Sequence, residues 1–551
     1  MVVFEDLGLL FFTALILSLF LTPASISFAQ RIGAMDTPVD RSVHVRIMPR
    51  MGGLGMAIAV VIALFLFVDL NQAVVGFLIG VLIIVATGVL DDLVQLRPVY
   101  KMFGQFLASV SFLWISGLSL SSIGNLFGLG SIDFLPWIAF LVTLFCMIGT
   151  INALNLSDGL DGLAAGLTMI AAVFMGIIAL QAQNWIAMFI LVALLGSTLG
   201  FLKFNTYPAK LFMGDTGSLM LGFFMGSLIV FLVDFDGVSE VNPITLAIIL
   251  AVPVSDTLLV MTRRILQGKS PVSADKTHLH HRLLSLGLDH AMVVVIIYII
   301  AFYFGFLALF MQHQAEWLQL IAGLASCAVI YISISACEHY KLSFKNYLFL
   351  QGKPEALSSS LTTVVGKSMK WFRLIILLGL LFPVFFVVSI PTEVSNLLLG
   401  VLLLILFAYP WREHKERLNI VYGLFYIAGL AILYVWNIST FDSFSLSWYM
   451  LGFVAVLSVW SMLKIRFKGH QEVFLTSGLE VLLIIISWFV PYTLLPALNV
   501  SEEIMIAAKT SCLEAIPLLI AMKIVTRRQP DRNYLMVVGL LAILLWMLLI
   551  F

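Results

Sequence analysis

Residues 133–163 read DFLPWIAFLVTLFCMIGTINALNLSDGLDGL. From Phe134 to Ile151 the stretch carries no charge and matches the apolar length a bilayer-crossing helix needs, about 20 residues. Asn152, Asn155, Asp158 and Asp161 then follow at intervals of three. A carboxylate at membrane depth costs several kcal/mol unless something pairs with it. Four polar side chains at one repeated spacing therefore look like a site for a cation or a phosphate. On a helix that spacing sets them beside one another; glycine after each aspartate equally fits a helix that ends here.

The rest of the chain resembles the apolar half of this stretch. Of 551 residues, 61% are hydrophobic and 11% charged, with a mean hydropathy of +1.09. A soluble domain carries about 25% charged residues, so the composition is that of an integral membrane protein. The formal net charge is zero, which gives no basic surface of the kind nucleic acid needs. The opening MVVFEDLGLL has Glu5 and Asp6 in place of the basic region of a cleavable signal. Cys146, Cys327, Cys337 and Cys512 follow no motif spacing, so neither a disulfide framework nor a thiolate metal site is expected.

Apolar runs predict an all-α fold with about eighteen transmembrane helices. Eleven are expected near 7–29, 52–69, 73–90, 102–120, 133–151, 161–182, 185–202, 217–234, 242–261, 291–311 and 316–336. About seven more follow near 372–391, 394–410, 418–437, 445–463, 475–497, 503–523 and 533–551. With the N-terminus outside, the segments left in the cytoplasm hold 29 of the 30 Lys and Arg residues, all but Lys509. The expected organisation is an eleven-span domain over 1–340, a cytoplasmic linker over 341–371 and a multi-span domain over 372–551.

On that topology five polar clusters share the cytoplasmic face. DTPVDRSVHVRIMPRMGG (36–53) carries Asp36 and Arg50; DDLVQLRPVYKMFGQ (91–105) carries Asp91, Asp92, Arg97, Lys101 and Gln105. The opening stretch is the third. KFNTYPAKLFMGDTGS (203–218) holds Asn205, Lys210 and Asp215; RRILQGKSPVSADKTHLHHRLL (263–284) holds Arg264, His278, His280 and His281. Singly, each reads as well as solvated loop charge or as a helix anchor. Five on one face favour a shared site, and Gly159, Gly162, Gly214 and Gly217 would let backbone approach a ligand. Carboxylates and amides without thiolates are hard ligands, suited to Mg²⁺ or Mn²⁺ over Zn²⁺. The Arg, Lys and His groups suit phosphate oxygens. Acid groups, a divalent metal and cationic clamps together are what phosphoryl transfer requires.

Asp91-Asp92, NALNLSDGLDGL, FNTYPAKLFMGDTGS and SADKTHLHH together resemble the polyprenyl-phosphate N-acetylhexosamine-1-phosphate transferases, over about residues 1–340. The resemblance implies transfer of an N-acetylhexosamine-1-phosphate, GlcNAc-1-phosphate first, from a UDP-sugar to undecaprenyl phosphate with release of UMP. It implies Asp215 as the Mg²⁺ or Mn²⁺ ligand, with Asp91, Asp92, Asp158 and Asp161 as catalytic acids. Lys101 and Arg97 would meet the lipid phosphate. Asn152, Asn155, Asn205, Arg264, His278, His280 and His281 would meet the nucleotide-sugar. His278-Leu279-His280-His281-Arg282 departs from the phospho-MurNAc-pentapeptide branch, which shows three consecutive histidines and then an acid. Gln95 stands where many members carry a third acid. The setting implied is a bacterial inner membrane, with a cytoplasmic site that initiates O-antigen or a similar lipid-linked polysaccharide. A second copy in a homodimer and downstream polysaccharide enzymes are the protein partners such an enzyme would have.

Residues 372–551 match no motif; Glu480, Lys509 and Glu514 at membrane depth are their candidate site. A transporter or flippase and a scaffold for glycan assembly are the competing classes. A transporter would place its polar residues near the bilayer midplane.

Overall fold

The computed structural model describes residues 2–36, 47–234, 241–269 and 277–342, with isolated positions 505, 510 and 511. Apart from those three positions, the 372–551 domain with Glu480, Lys509 and Glu514 lies outside the described residues, as do residues 343–371 of the linker. Those up to 342 belong to one compact unit.

Helices α1 (Val2–Ile32) and α2 (Gly52–Phe67) flank a short hairpin of β1 (Met35–Asp36) and β2 (Met48–Pro49), paired antiparallel with Asp36 opposite Met48. Then come α3 (Gln72–Val94), α4 (Pro98–Ser116), α5 (Pro136–Leu156), α6 (Leu163–Gln181), α7 (Trp185–Asn205) and α8 (Gly214–Asp234). The last are α9 (Pro243–Ile249), α10 (Ala251–Leu266), α11 (Leu279–Ser285), α12 (His290–Met311) and α13 (Glu316–His339). Their starts are written in the sequence. Asn71, Asn184 and Asn242 accept N–H groups of the first turns of α3, α7 and α9, and Pro98 and Pro136 open α4 and α5.

Each of the eleven expected spans coincides with a helix or a helix pair. Eight helices among the described residues are long and apolar enough to cross a membrane, or nine with α9 and α10 taken as one span. Two expected spans fall short of that test. Helix α2 has 16 residues, and in α4 Tyr100, Lys101, Gln105 and three serines dilute the apolar run. The expected straight span 242–261 is broken: α9 and α10 meet at 81°. Pro253 has no N–H to give the carbonyl of Ile249, and its ring crowds that carbonyl, so the helix turns there.

The bundle is apolar outside as well as inside. Phe65, Leu82, Trp114, Phe145, Phe310 and Ile332 are all exposed, as lipid-facing side chains are in a multi-pass membrane protein. Helix α6 is buried from Leu163 to Leu180, and α8 is buried from Thr216 to Leu232 except Ile229 and its ends. Around α8 pack α3 and α5, with Phe77, Phe112, Phe224 and Phe231 interlocked; the Phe77 and Phe224 rings meet edge to face at 4.9 Å. Helices α2 and α8 cross at Gly53 and Gly217, where a Cβ on Gly53 would fall 2.1 Å from the Gly217 Cα. That crossing anchors the site end. Gly52 and Gly53 donate to the carbonyls of Phe212 and Met213, and Phe212 donates to that of Pro49.

Candidate functional site

Helix α3 brings two adjacent aspartates to this end and sends them different ways, because successive helical side chains diverge by about 100°. Asp91 accepts the Leu96 N–H at 2.7 Å and lies 3.1 Å from the Lys101 ammonium. Asp92 reaches the start of α8. Its Oδ1 accepts the Asp215 N–H at 2.8 Å; its Oδ2 accepts the Thr216 N–H at 3.0 Å and the Thr216 hydroxyl at 2.6 Å. A carboxylate from another helix thus satisfies orphan donors at a helix N-terminus, where negative charge is also favoured by the dipole. Two glycines permit it. A Cβ on Gly88 would sit 2.4 Å from the Thr216 Cα, and Gly214, at φ +73°, would drive one to 2.4 Å from the Asp92 carboxylate.

Lys101 also pairs with Asp215, so one ammonium ties Asp91 to Asp215. Asn155 donates to Asp215 Oδ1 at 2.7 Å and to the Ser218 hydroxyl at 2.8 Å. Asn152 stays behind this layer, paired with Gln105 at 2.7 Å.

The loop 157–162 is held at several of its polar groups. The Asp161 N–H donates to His290 Nε2 at 3.0 Å, and its Oδ2 accepts the Ala209 N–H at 2.9 Å. Gly162 donates to Asn205 Oδ1 at 3.0 Å, while its carbonyl accepts the Tyr298 hydroxyl at 2.6 Å. The Asp158 carboxyl accepts no hydrogen bond among the described residues. Burial, then the charges of Asp215, Asp92 and Asp161, pushes its pKa up to about 7.

Helix α11 is pinned from three sides. Asp256 of α10 accepts from His278 Nδ1 and from the Leu279 N–H, both at 2.8 Å. Arg282 makes a two-pronged pair with Glu338 at 2.9 and 2.6 Å and donates to Ser335 at 2.8 Å. His280 lies against Gly159, where a Cβ would come within 2.3 Å of Nε2. Burial, then the neighbouring histidines, pushes the His280 imidazole down to about 3, so the ring stays neutral.

All five polar stretches open into one cavity of about 840 Å³. Its wall includes Asp36 and Arg50, which pair with each other, then Asp92, Asn155, Asp158, Asp161, Asn205, Asp215 and His281. Residues 74–233 match the family model described as glycosyl transferase family 4. The chain is 39% identical over 315 residues to a probable undecaprenyl-phosphate N-acetylglucosaminyl 1-phosphate transferase of Bacillus subtilis, covering 56% of this chain and 86% of that one. The chain belongs to the polyprenyl-phosphate N-acetylhexosamine-1-phosphate transferase family. Two further relatives show its spread. A decaprenyl-phosphate N-acetylglucosaminephosphotransferase of Mycolicibacterium smegmatis is 36% identical, over 54% of this chain and 79% of that one. A phospho-N-acetylmuramoyl-pentapeptide-transferase of Caldicellulosiruptor bescii is 34% identical over 271 residues, 48% of this chain and 82% of that one.

 

As a member of this family the chain is an enzyme, a phosphotransferase of the sugar-1-phosphate type. Of the residues picked out from sequence, the transferase brings Asp92, Asn155, Asp158, Asp161, Asn205, Asp215 and His281 to the cavity wall. Asp91 and Lys101 are not part of that wall but are tied to it through the ion pair of Lys101 with Asp215. Others are placed differently. Arg97 is exposed at the start of α4, outside the wall. Asn152, Arg264, His278 and His280 are also absent from the wall; His278 and His280 hold α11 in place, leaving His281 as the histidine of that motif facing the cavity. Gln95 takes a left-handed conformation at the end of α3, φ 51°, with its N–H on the Asp91 carbonyl.

Sequence reading missed Asp256, His290 and Thr216. Asp256 is a lone acid in an apolar run, and intramembrane acids are rare enough to have flagged it. Thr216 lies inside the GDTGS stretch next to Asp215, and nothing local marks His290.

The donor chemistry suits a hard divalent cation: Asp92, Asp158, Asp161 and Asp215 line one cavity, and among the described residues Asp158 accepts no hydrogen bond. Among the described residues no three acidic, His or Cys groups form a ready-made metal cluster, and Lys101 holds Asp215 in its place.

Proposed function

We propose that the protein transfers N-acetylglucosamine-1-phosphate from UDP-GlcNAc to undecaprenyl phosphate and releases UMP, as the first step of a lipid-linked cell-surface polysaccharide such as O-antigen. What carries this reading is the shared cavity of Asp92, Asp158, Asp161 and Asp215. Four carboxylates around one space suit a cation-assisted reaction of a diphosphate. Family membership and the names of the relatives support the reaction class, and the His-Leu-His-His pattern favours GlcNAc over the muramoyl-pentapeptide donor. Other UDP-N-acetylhexosamines are the nearest alternatives.

Asp158 and Asp215 would hold Mg²⁺ or Mn²⁺, which when bound supplies charge neutralisation to the diphosphate. The phosphate of the lipid has its second pKa near 6, so it is largely dianionic at neutral pH and needs little help from a base. Its oxygen attacks the sugar-linked phosphorus, the bond from that phosphorus to the bridging oxygen breaks, and UMP leaves with the electron pair. Asp92 is poorly placed as the competing nucleophile, because three donors at the start of α8 already hold its carboxylate. Lys101 keeps Asp91 and Asp215 together and offsets part of their charge.

The cavity would face the cytoplasm of a bacterial inner membrane, with the N-terminus outside, as the Lys and Arg distribution supports. The 372–551 domain would serve a downstream enzyme or the lipid carrier, and removing it should leave transfer intact if the rest folds. Purified protein given undecaprenyl phosphate and a panel of UDP-sugars tests the reading. Label from UDP-GlcNAc should enter butanol-extractable lipid with equimolar UMP. Preference for another sugar would change the donor, and no labelled lipid from any donor would end the proposal.

A further inference from the structure

His290 opens α12 and lines the cavity beside Asp161 and Tyr207. Its Nε2 accepts the Asp161 N–H at 3.0 Å, so the neutral ring carries its proton on Nδ1. The same ring stacks on Tyr207, with centroids 4.5 Å apart and planes at 25°. Asp161 in turn accepts the Ala209 N–H at 2.9 Å. These contacts close a circuit. One imidazole joins the 157–162 loop, which presents Asp158, to the 206–213 connection, which leads into Asp215.

We infer that His290 is a positioning residue that sets these two loops in register and so fixes the nucleotide-sugar half of the cavity. The inference rests on the transferase reading. A histidine that merely fills space would need neither an acceptor at Nε2 nor a flat ring over Tyr207. The required feature is an acceptor at the Nε2 position. The amide oxygen of glutamine reaches about that far, whereas asparagine ends near the Nδ1 position. The two amides are alike in polarity, so they separate placement from general loss of a histidine.

The test is steady-state kinetics of the full chain in detergent, with His290→Gln and His290→Asn beside the wild type, and melting temperatures with and without UMP. His290→Gln should stay within about threefold of wild-type kcat/KM for the UDP-sugar. His290→Asn should lose about 10- to 100-fold, the scale of a small misplacement of reacting groups. KM for the UDP-sugar should carry the loss, with KM for undecaprenyl phosphate unmoved. UMP should raise the melting temperature of the wild type and His290→Gln and not that of His290→Asn. Equal behaviour of the two amides, or a loss shared by both substrates, would overturn the inference. Should His290→Asn fail to fold, Tyr207→Leu, at an exposed position, should raise the donor KM alone, and an unchanged donor KM there would count against it. If the wild type moved no sugar phosphate, the transferase reading would fall, and the UMP melting comparison would still decide the role of His290.

Discussion

The Oδ2 atom of Asp92 takes both the N–H and the hydroxyl of Thr216, at 3.0 and 2.6 Å, so the end of one helix caps the start of another. Asp92→Asn should therefore cost more than a charge. An amide must turn its NH₂ toward one of the α8 donors, leaving two donors face to face. Turnover should fall at least about 100-fold and the melting temperature should drop. Thr216→Val removes one of three bonds and should cost about 1 kcal/mol of stability while turnover persists. With direct attack, no phospho-enzyme should be trapped, and UMP should not exchange into UDP-sugar without lipid. A covalent adduct on Asp92 would refute this part.

Gly159 and His280 should behave as a coupled pair. Gly159→Ala puts a methyl group within 2.3 Å of the ring nitrogen, displacing either α11 or the loop that carries Asp158. Activity should fall about tenfold or more. Adding His280→Ala should recover part of it, a non-additivity that a double-mutant cycle measures. Simple additivity would show that the contact does not transmit to the loop.

Acid should destabilise the protein through His280. Its imidazole is pushed down to about 3 in the folded state, against about 6.5 when unfolded. The unfolded chain thus binds the extra proton between those values, and stability present above pH 6.5 is lost as pH falls toward 3. The slope from this one group approaches about 1.4 kcal/mol per pH unit. Melting in detergent at pH 7.5 and 5.5 should show a larger loss for wild type than for His280→Gln. An equal loss in both would remove His280 as the cause.

Asp215→Ala should abolish turnover while the protein still inserts and folds, since Lys101 retains Asp91 as a partner. Size-exclusion in detergent checks the fold and UMP release checks the chemistry. Retained turnover would take the metal role away from Asp215.

Much of this architecture is readable from particular residues. The apolar runs announce every described helix of the first 340 residues except the short α11, and Asn or Pro marks several of their starts. Pro253 marks the break between α9 and α10, although the run around it reads as a single span. Asp91 and Asp92 look like one motif yet part company, as helical geometry requires. The histidine stretch is legible as a motif, but not its division of labour. Which imidazole faces the cavity depends on Asp256 and Gly159, which lie far from it in sequence. Capping of α8 by Asp92 is hidden for the same reason: donor and acceptor meet only after the bundle has formed.

The most direct test is the divalent-ion dependence of UMP release by purified wild type and by Asp158→Asn, each supplied with UDP-GlcNAc and undecaprenyl phosphate. Wild type should be silent in EDTA and restored by Mg²⁺ or Mn²⁺, and Asp158→Asn should need far more metal for less turnover. Full activity in EDTA, or the same metal dependence in both proteins, would contradict a cation gathered by these carboxylates.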